Sequence, residues 1–149
     1  MAQTPNIQWF PGHMAKTRRL IQDQVKLVDV VVELTDARIP QSSRNPELNK
    51  WIGEKRRLLV LNKSDAADPD LTARWLRYYR EQGIPAIAVD ARSGKGINQF
   101  LPAVREILAD ITEKRQAKGM VGRPIRMMIV GIPNVGKSSF INRVAKEKR

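Results

Sequence analysis

The apolar positions of this chain follow two alternating patterns. Runs of aliphatic and β-branched residues occur at Val28-Asp29-Val30-Val31-Val32-Glu33-Leu34, Arg57-Leu58-Leu59-Val60-Leu61, Ile84 to Val89 and Ile125 to Val130. Near-continuous runs of this kind mark buried parallel strands, because both faces of such a sheet are covered. Between them, apolar residues recur at helical spacing. The sets are Met14, Ile21, Val25 and Val28; Leu48, Trp51 and Ile52; Leu71, Trp75, Tyr78 and Tyr79; and Ile97, Phe100, Leu101, Val104, Ile107, Leu108 and Ile111. A further helix is predicted over 139–146. Asn45-Pro46 and Asp68-Pro69 each pair an N-cap residue with a proline suited to the first turn, and Gly53 and Gly83 stand where helices would stop. The polar, basic stretch 113–123 reads as a linker. Strand–helix alternation predicts an α/β fold with a mostly parallel sheet, in one domain by length.

The loops at the carboxyl ends of those strands carry the candidate chemistry. Gly131-Ile132-Pro133-Asn134-Val135-Gly136-Lys137-Ser138 fits G-x-x-x-x-G-K-[ST], with a strand before it and a helix from Ser139 after it. Its glycines let successive N–H groups point at a polyphosphate, and the helix N-terminus adds positive potential. Lys137 would reach the β- and γ-phosphates, and Ser138 would offer its hydroxyl to Mg²⁺. The bland alternative is a glycine-rich turn.

Asn62-Lys63-Ser64-Asp65 follows the second strand. One carboxylate, Asp65, can accept both N1–H and the N2 amino group of guanine, whereas adenine would leave it unpaired. Asn62 can donate to N7, and the Lys63 stem can lie over the base. Alone the tetrapeptide is a common turn; beside a phosphate loop it points to guanine. In Asp90-Ala91-Arg92-Ser93-Gly94-Lys95-Gly96, small residues would let backbone N–H groups approach O6, or form an ordinary turn. Near the start, Trp9-Phe10-Pro11-Gly12-His13-Met14 is a turn into a helix. His13, the sole histidine, reads by itself as a helix-start residue.

Charge changes the picture. The chain has 27 Lys+Arg against 15 Asp+Glu, a net +12. Basic clusters at Lys16-Thr17-Arg18-Arg19, Lys55-Arg56-Arg57, Lys114-Arg115 with Lys118, and Lys146-Glu147-Lys148-Arg149 favour an RNA-rich partner over merely solvated helix faces. Zinc spacing and a basic zipper are absent, so nothing suggests sequence-specific DNA reading. With no cysteine there is no disulfide or thiolate metal site. The polar start, Met1 to Pro5, shows no secretory pattern, and no apolar run approaches the ~18 residues of a membrane span. These features fit the cytoplasm.

In ordinary GTPases the phosphate loop comes first; here it comes last. Trp9 to Met14, Thr35 to Pro40, Asn62 to Asp65 and Gly131 to Ser138, in that order, resemble the circularly permuted ribosome-assembly GTPases of the YlqF/RbgA family. The resemblance covers the whole chain. It implies a P-loop NTPase-like three-layer sandwich, circularly permuted, that binds GTP or GDP with Mg²⁺. It implies a part in maturing the large ribosomal subunit, with rRNA as partner. His13 would replace the water-orienting glutamine of other GTPases, and Asn134 would be associated with K⁺. Asp90-Ala91 matches the base-contacting loop, with Asp where Ser is usual. D-x-x-G is absent. Residues 1–149 therefore read as a G domain incomplete at its C-terminus, inactive alone although its parent is a GTPase. The alternative is a nucleotide- or RNA-binding module without turnover. The resemblance also places strand 125–130 beside strand 28–34. With the switch-region strands missing, 125–130 would be an exposed edge prone to self-association, or mobile.

Overall fold

A computed structural model describes residues 6–8, 14–119, 124–132 and 135–147. In chain order the elements are β1 (Asn6–Gln8), α1 (Met14–Val25), β2 (Val30–Asp36), α2 (Leu48–Ile52), β3 (Arg57–Asn62), α3 (Pro69–Glu81), β4 (Ala86–Ala88), α4 (Phe100–Ile107), α5 (Ala109–Ala117), β5 (Met127–Gly131) and α6 (Lys137–Glu147). The strands form one parallel sheet in the order β1-β5-β2-β3-β4.

The β-branched runs become strands because both sheet faces are covered. All seven residues of β2 and all five of β5 are buried. Side chains alternate across the sheet. Val30, Val32 and Leu34 meet Phe100 and Val104 of α4 and Phe140 and Val144 of α6, with Phe100 and Phe140 edge to face at 5.1 Å. On the opposite face, Ile21 and Val25 of α1 and Leu48, Trp51 and Ile52 of α2 cover Val31, Met128 and Val130. Tyr79 of α3 packs with Leu59, Leu61 and Ala86. Three layers result, as predicted.

One buried acid interrupts that second face. Glu33 on β2 is 2% exposed and receives two bonds from Arg44, at 2.8 and 3.0 Å. The Arg44 guanidinium also lies 5.6 Å from the centre of the Tyr79 ring, and the Tyr79 hydroxyl donates to Gln41. Burial pushes the Tyr79 phenol up to about 12.

Several expectations are corrected. Strand 125–130 is not an edge: β1 pairs with it in parallel, Gln8 opposite Gly131, so the reason for self-association along that strand disappears. Strand β2 starts two residues later than predicted and takes in Thr35 and Asp36, while β4 shrinks to Ala86–Ala88. The long helix from Ile97 bends at Leu108, and α5 continues through half of the supposed linker. Its residues, Ala109 to Ala117, are mostly good helix formers without an apolar stripe. Ion pairs secure it instead, Arg115 to Asp29 at 2.6 Å and Arg56 to Asp110. Leu71 and Tyr78, grouped with Trp75 and Tyr79 on one side of α3, are 52% and 47% exposed, whereas Tyr79 is buried. Asn45 does not cap α2 directly; it accepts from the Glu47 N–H at 2.8 Å, and the helix begins at Leu48. Asp68 caps α3 as predicted, accepting from Asp70 and Leu71.

Candidate functional site

Parallel strands deliver their carboxyl ends to one edge of the sheet, where open α/β sheets bind ligands. Here that edge gathers the loops after β2, β3, β4 and β5, with α6 starting beside them.

Asn62, the last residue of β3, joins three of these loops. It is 3% exposed. Its Nδ2 donates to the Val135 carbonyl at 2.9 Å, and its Oδ1 accepts from the Ala91 N–H at 3.0 Å. Its own carbonyl accepts from the Ala37 N–H at 2.6 Å. One of the two amide hydrogens expected to serve a base N7 is therefore spent inside the protein.

Lys63 follows in a left-handed conformation, φ 65° and ψ 34°. Among the described residues it is the one non-glycine with positive φ. Backbone strain of this kind is typical of binding sites. The Lys63 ammonium lies 3.7 Å from Asp36. Asp36 also takes bonds from the Arg38 backbone N–H, Nε and Nη2 at 3.0, 2.9 and 2.5 Å. The Arg38 guanidinium holds the Asp36 carboxyl below its ordinary range.

Asp65 sits in a short 3₁₀ turn, Ser64–Ala66, and is half-exposed. Its carboxylate accepts from the Ser93 hydroxyl at 3.2 Å and pairs with Lys95 at 3.5 Å. The loop after β4 thus orients the predicted base-reading acid. Asp90 closes that loop: its Oδ2 accepts from the Ser93 N–H at 3.0 Å, and its N–H donates to the Lys95 carbonyl at 2.7 Å. Gly96 is required there, since φ is +79° and a Cβ would meet the Ala88 carbonyl at 2.6 Å.

At the phosphate loop, Gly136 has φ +84°, and a Cβ would strike the Asn62 Nδ2 at 2.5 Å. Helix α6 begins at Lys137, two residues before the predicted start. Lys137 is 2% exposed, and burial lowers its ammonium from 10.5 to about 8. Ser138 and Ser139 are exposed in the first turn of α6.

A cleft of about 680 Å³ opens between these loops, lined by Asn62, Lys63, Asp65, Asp90, Ala91, Gly136 and Ser139 among the predicted residues. Gly131, Val135, Lys137 and Ser138 belong to the loop and helix start at one end of it. His13 and Asn134 lie outside the described residues. Sequence reasoning missed Arg38, Ala66 and Arg92, which also line the cleft. Arg38 stands inside Thr35 to Pro40, a loop the sequence places at the ligand-binding edge without giving this arginine a role. Among the described residues no three His, Cys, Asp or Glu gather as a metal site.

Comparison with known proteins agrees with this geometry. Residues 126–149 match the profile of the 50S ribosome-binding GTPase family. The chain is 56% identical over 143 residues to Ribosome biogenesis GTPase A of Priestia megaterium, covering 95% of this chain and 50% of that protein. It is 35% identical over 141 residues to Mitochondrial ribosome-associated GTPase 1 of Bos taurus, covering 94% and 42%. The GNP-bound YlqF structure from T. maritima superposes with a TM-score of 0.65 at 30% identity, over 86% of this chain and 47% of that one. The fold is therefore P-loop NTPase-like. The chain spans about half the length of the curated relatives it matches.

Proposed function

Because the chain falls, over the length it spans, within the YlqF/RbgA family of ribosome-assembly GTPases, we propose that its cleft binds GTP and GDP. The observation that carries the reading is Asn62. It ties a base-reading loop ending in Asp65 to a phosphate loop ending in Lys137 and Ser138. Asp65 takes the guanine N1–H and N2 amino group, the N–H groups of loop 90–96 approach O6, and Lys137 with the start of α6 takes the phosphates. Residues 1–149 supply the base and phosphate loops of a circularly permuted G domain. Mg²⁺, held through Ser138, supplies charge neutralisation of the phosphates when bound.

GTP hydrolysis is proposed for the protein at its relatives' length, with His13 orienting water and Asn134 beside a K⁺ ion. The partner is the large ribosomal subunit and its rRNA, in the cytoplasm, in keeping with the net charge of +12. No helix among the described residues is long and apolar enough to cross a membrane.

Calorimetry tests the nucleotide. GDP should bind and ADP should bind at least about a hundredfold more weakly, since adenine leaves Asp65 and its neighbours unpaired. Equal binding of the two would overturn the reading. Binding to ribosomal RNA should weaken steeply between about 50 and 200 mM salt.

A further inference from the structure

Helix α6 carries more than the phosphate-binding lysine. Its apolar face, Phe140 and Val144, is buried in the core, and Arg143 lies on the flank turned towards loop 90–96. The Arg143 Nε donates to the Ala91 carbonyl at 3.1 Å, and Nη2 donates to the Arg92 carbonyl at 2.8 Å. A planar guanidinium fork suits two successive carbonyls; a lysine ammonium has no such fixed pair of donors. The loop lies close against the guanidinium. Gly94 has φ +89°, and a Cβ there would come within 3.2 Å of Arg143 Nη1.

The consequence passes to Asp65. Ala91 is held on one side by Arg143 through its carbonyl and on the other by Asn62 through its N–H. Two residues on, the Ser93 hydroxyl donates to the Asp65 carboxylate. A continuous path runs from Lys137 along six residues of α6, about 9 Å of helix, through Arg143 and loop 91–93 to the acid that reads the base.

We propose that Arg143 is a positioning residue for guanine recognition, fixing the base-reading loop to the helix that follows the phosphate loop. The proposal rests on the nucleotide reading above. Arg143 need not touch the ligand. Its removal leaves the exposed Arg92 carbonyl to water and opens the part-buried Ala91 carbonyl along the space the side chain vacates, so fold stability should change little. Base discrimination should change more.

The experiment uses Arg143→Gln and Arg143→Lys with two readouts. In the unliganded chain, amide exchange at Ala91, Ser93 and Gly94 should accelerate at least about tenfold in both variants, while β2 and β3 keep their protection. In calorimetry, GDP should exceed inosine diphosphate, which lacks the N2 amino group, by about tenfold or more in the parent chain. That ratio should fall several-fold in both variants at an unchanged melting temperature. Unchanged exchange in loop 91–94 overturns the tie. Faster exchange with an unchanged GDP to inosine diphosphate ratio overturns the specificity role. A parent chain that binds neither nucleotide overturns the nucleotide reading instead, and the exchange measurement still decides the tie by itself.

Discussion

Raising the pH from 7 to 9 should weaken nucleotide binding by about tenfold, and a single lysine should account for it. Burial brings the Lys137 ammonium down to about 8. Roughly nine in ten chains then carry the proton at pH 7 and one in ten at pH 9. A polyphosphate beside the amine favours the charged form, so the bound state keeps the proton across this range. The ratio (1 + 10) to (1 + 0.1) gives the tenfold loss, about 1.4 kcal/mol. At pH 8 each binding event should take up about half a proton. The phosphates of GDP, with a last pKa near about 6, contribute little at that pH. Titration calorimetry in buffers of different ionisation enthalpy measures the uptake directly. Lys137→Arg should bind GDP without it, because a guanidinium stays charged throughout. Zero uptake at pH 8 in the parent chain, or equal uptake in Lys137→Arg, would refute the reasoning.

Three further outcomes are expected. Arg44→Ala should leave the buried Glu33 carboxyl without its two bonds from Arg44 at a cost of about 3–5 kcal/mol, whereas Glu33→Leu combined with Arg44→Met should recover most of it; urea midpoints would show both. Asn62→Ala should orphan the Val135 carbonyl and the Ala91 N–H, costing about 2–4 kcal/mol and weakening GDP and ADP alike; a stability loss below about 1 kcal/mol would speak against Asn62 as the junction. Asp65→Asn replaces an acceptor with a donor, so preference should move from guanine to xanthine diphosphate in competition binding.

Much of this was legible because it is local. The phosphate loop and Asn62 to Asp65 are contiguous strings, and the β-branched runs announce their strands without reference to anything distant. What escaped depends on separation. Asn62 was read as a ligand donor, yet its partners are Val135 and Ala91, 73 and 29 residues away. Arg143 reaches back across 52 residues to Ala91. Neither bond leaves a periodic trace. The second half of α5, residues 113–117, was taken for linker because it lacks an apolar face, the helix's hold coming from Asp29 and Arg56 elsewhere in the chain. Strand β1, three residues long, falls below any window in which alternation can be seen; only its parallel pairing with β5 defines it. The roles drawn from His13 and Asn134 rest on the resemblance alone.

The sheet order has a consequence for the chain as it is made. Gln8 and Gly131, opposite each other in adjacent strands, are about 120 residues apart in sequence. At ribosomal speeds of about 5–20 residues per second, β1 waits about 6–25 s for its neighbour β5. During that interval β2, β3 and β4 can pair with one another, but the flank of β2 at Val30 to Glu33 has no β5 to meet it. The nascent protein therefore passes through a stage with an open apolar edge. Strand β1, made about 120 residues before β5, is seated only once β5 has arrived.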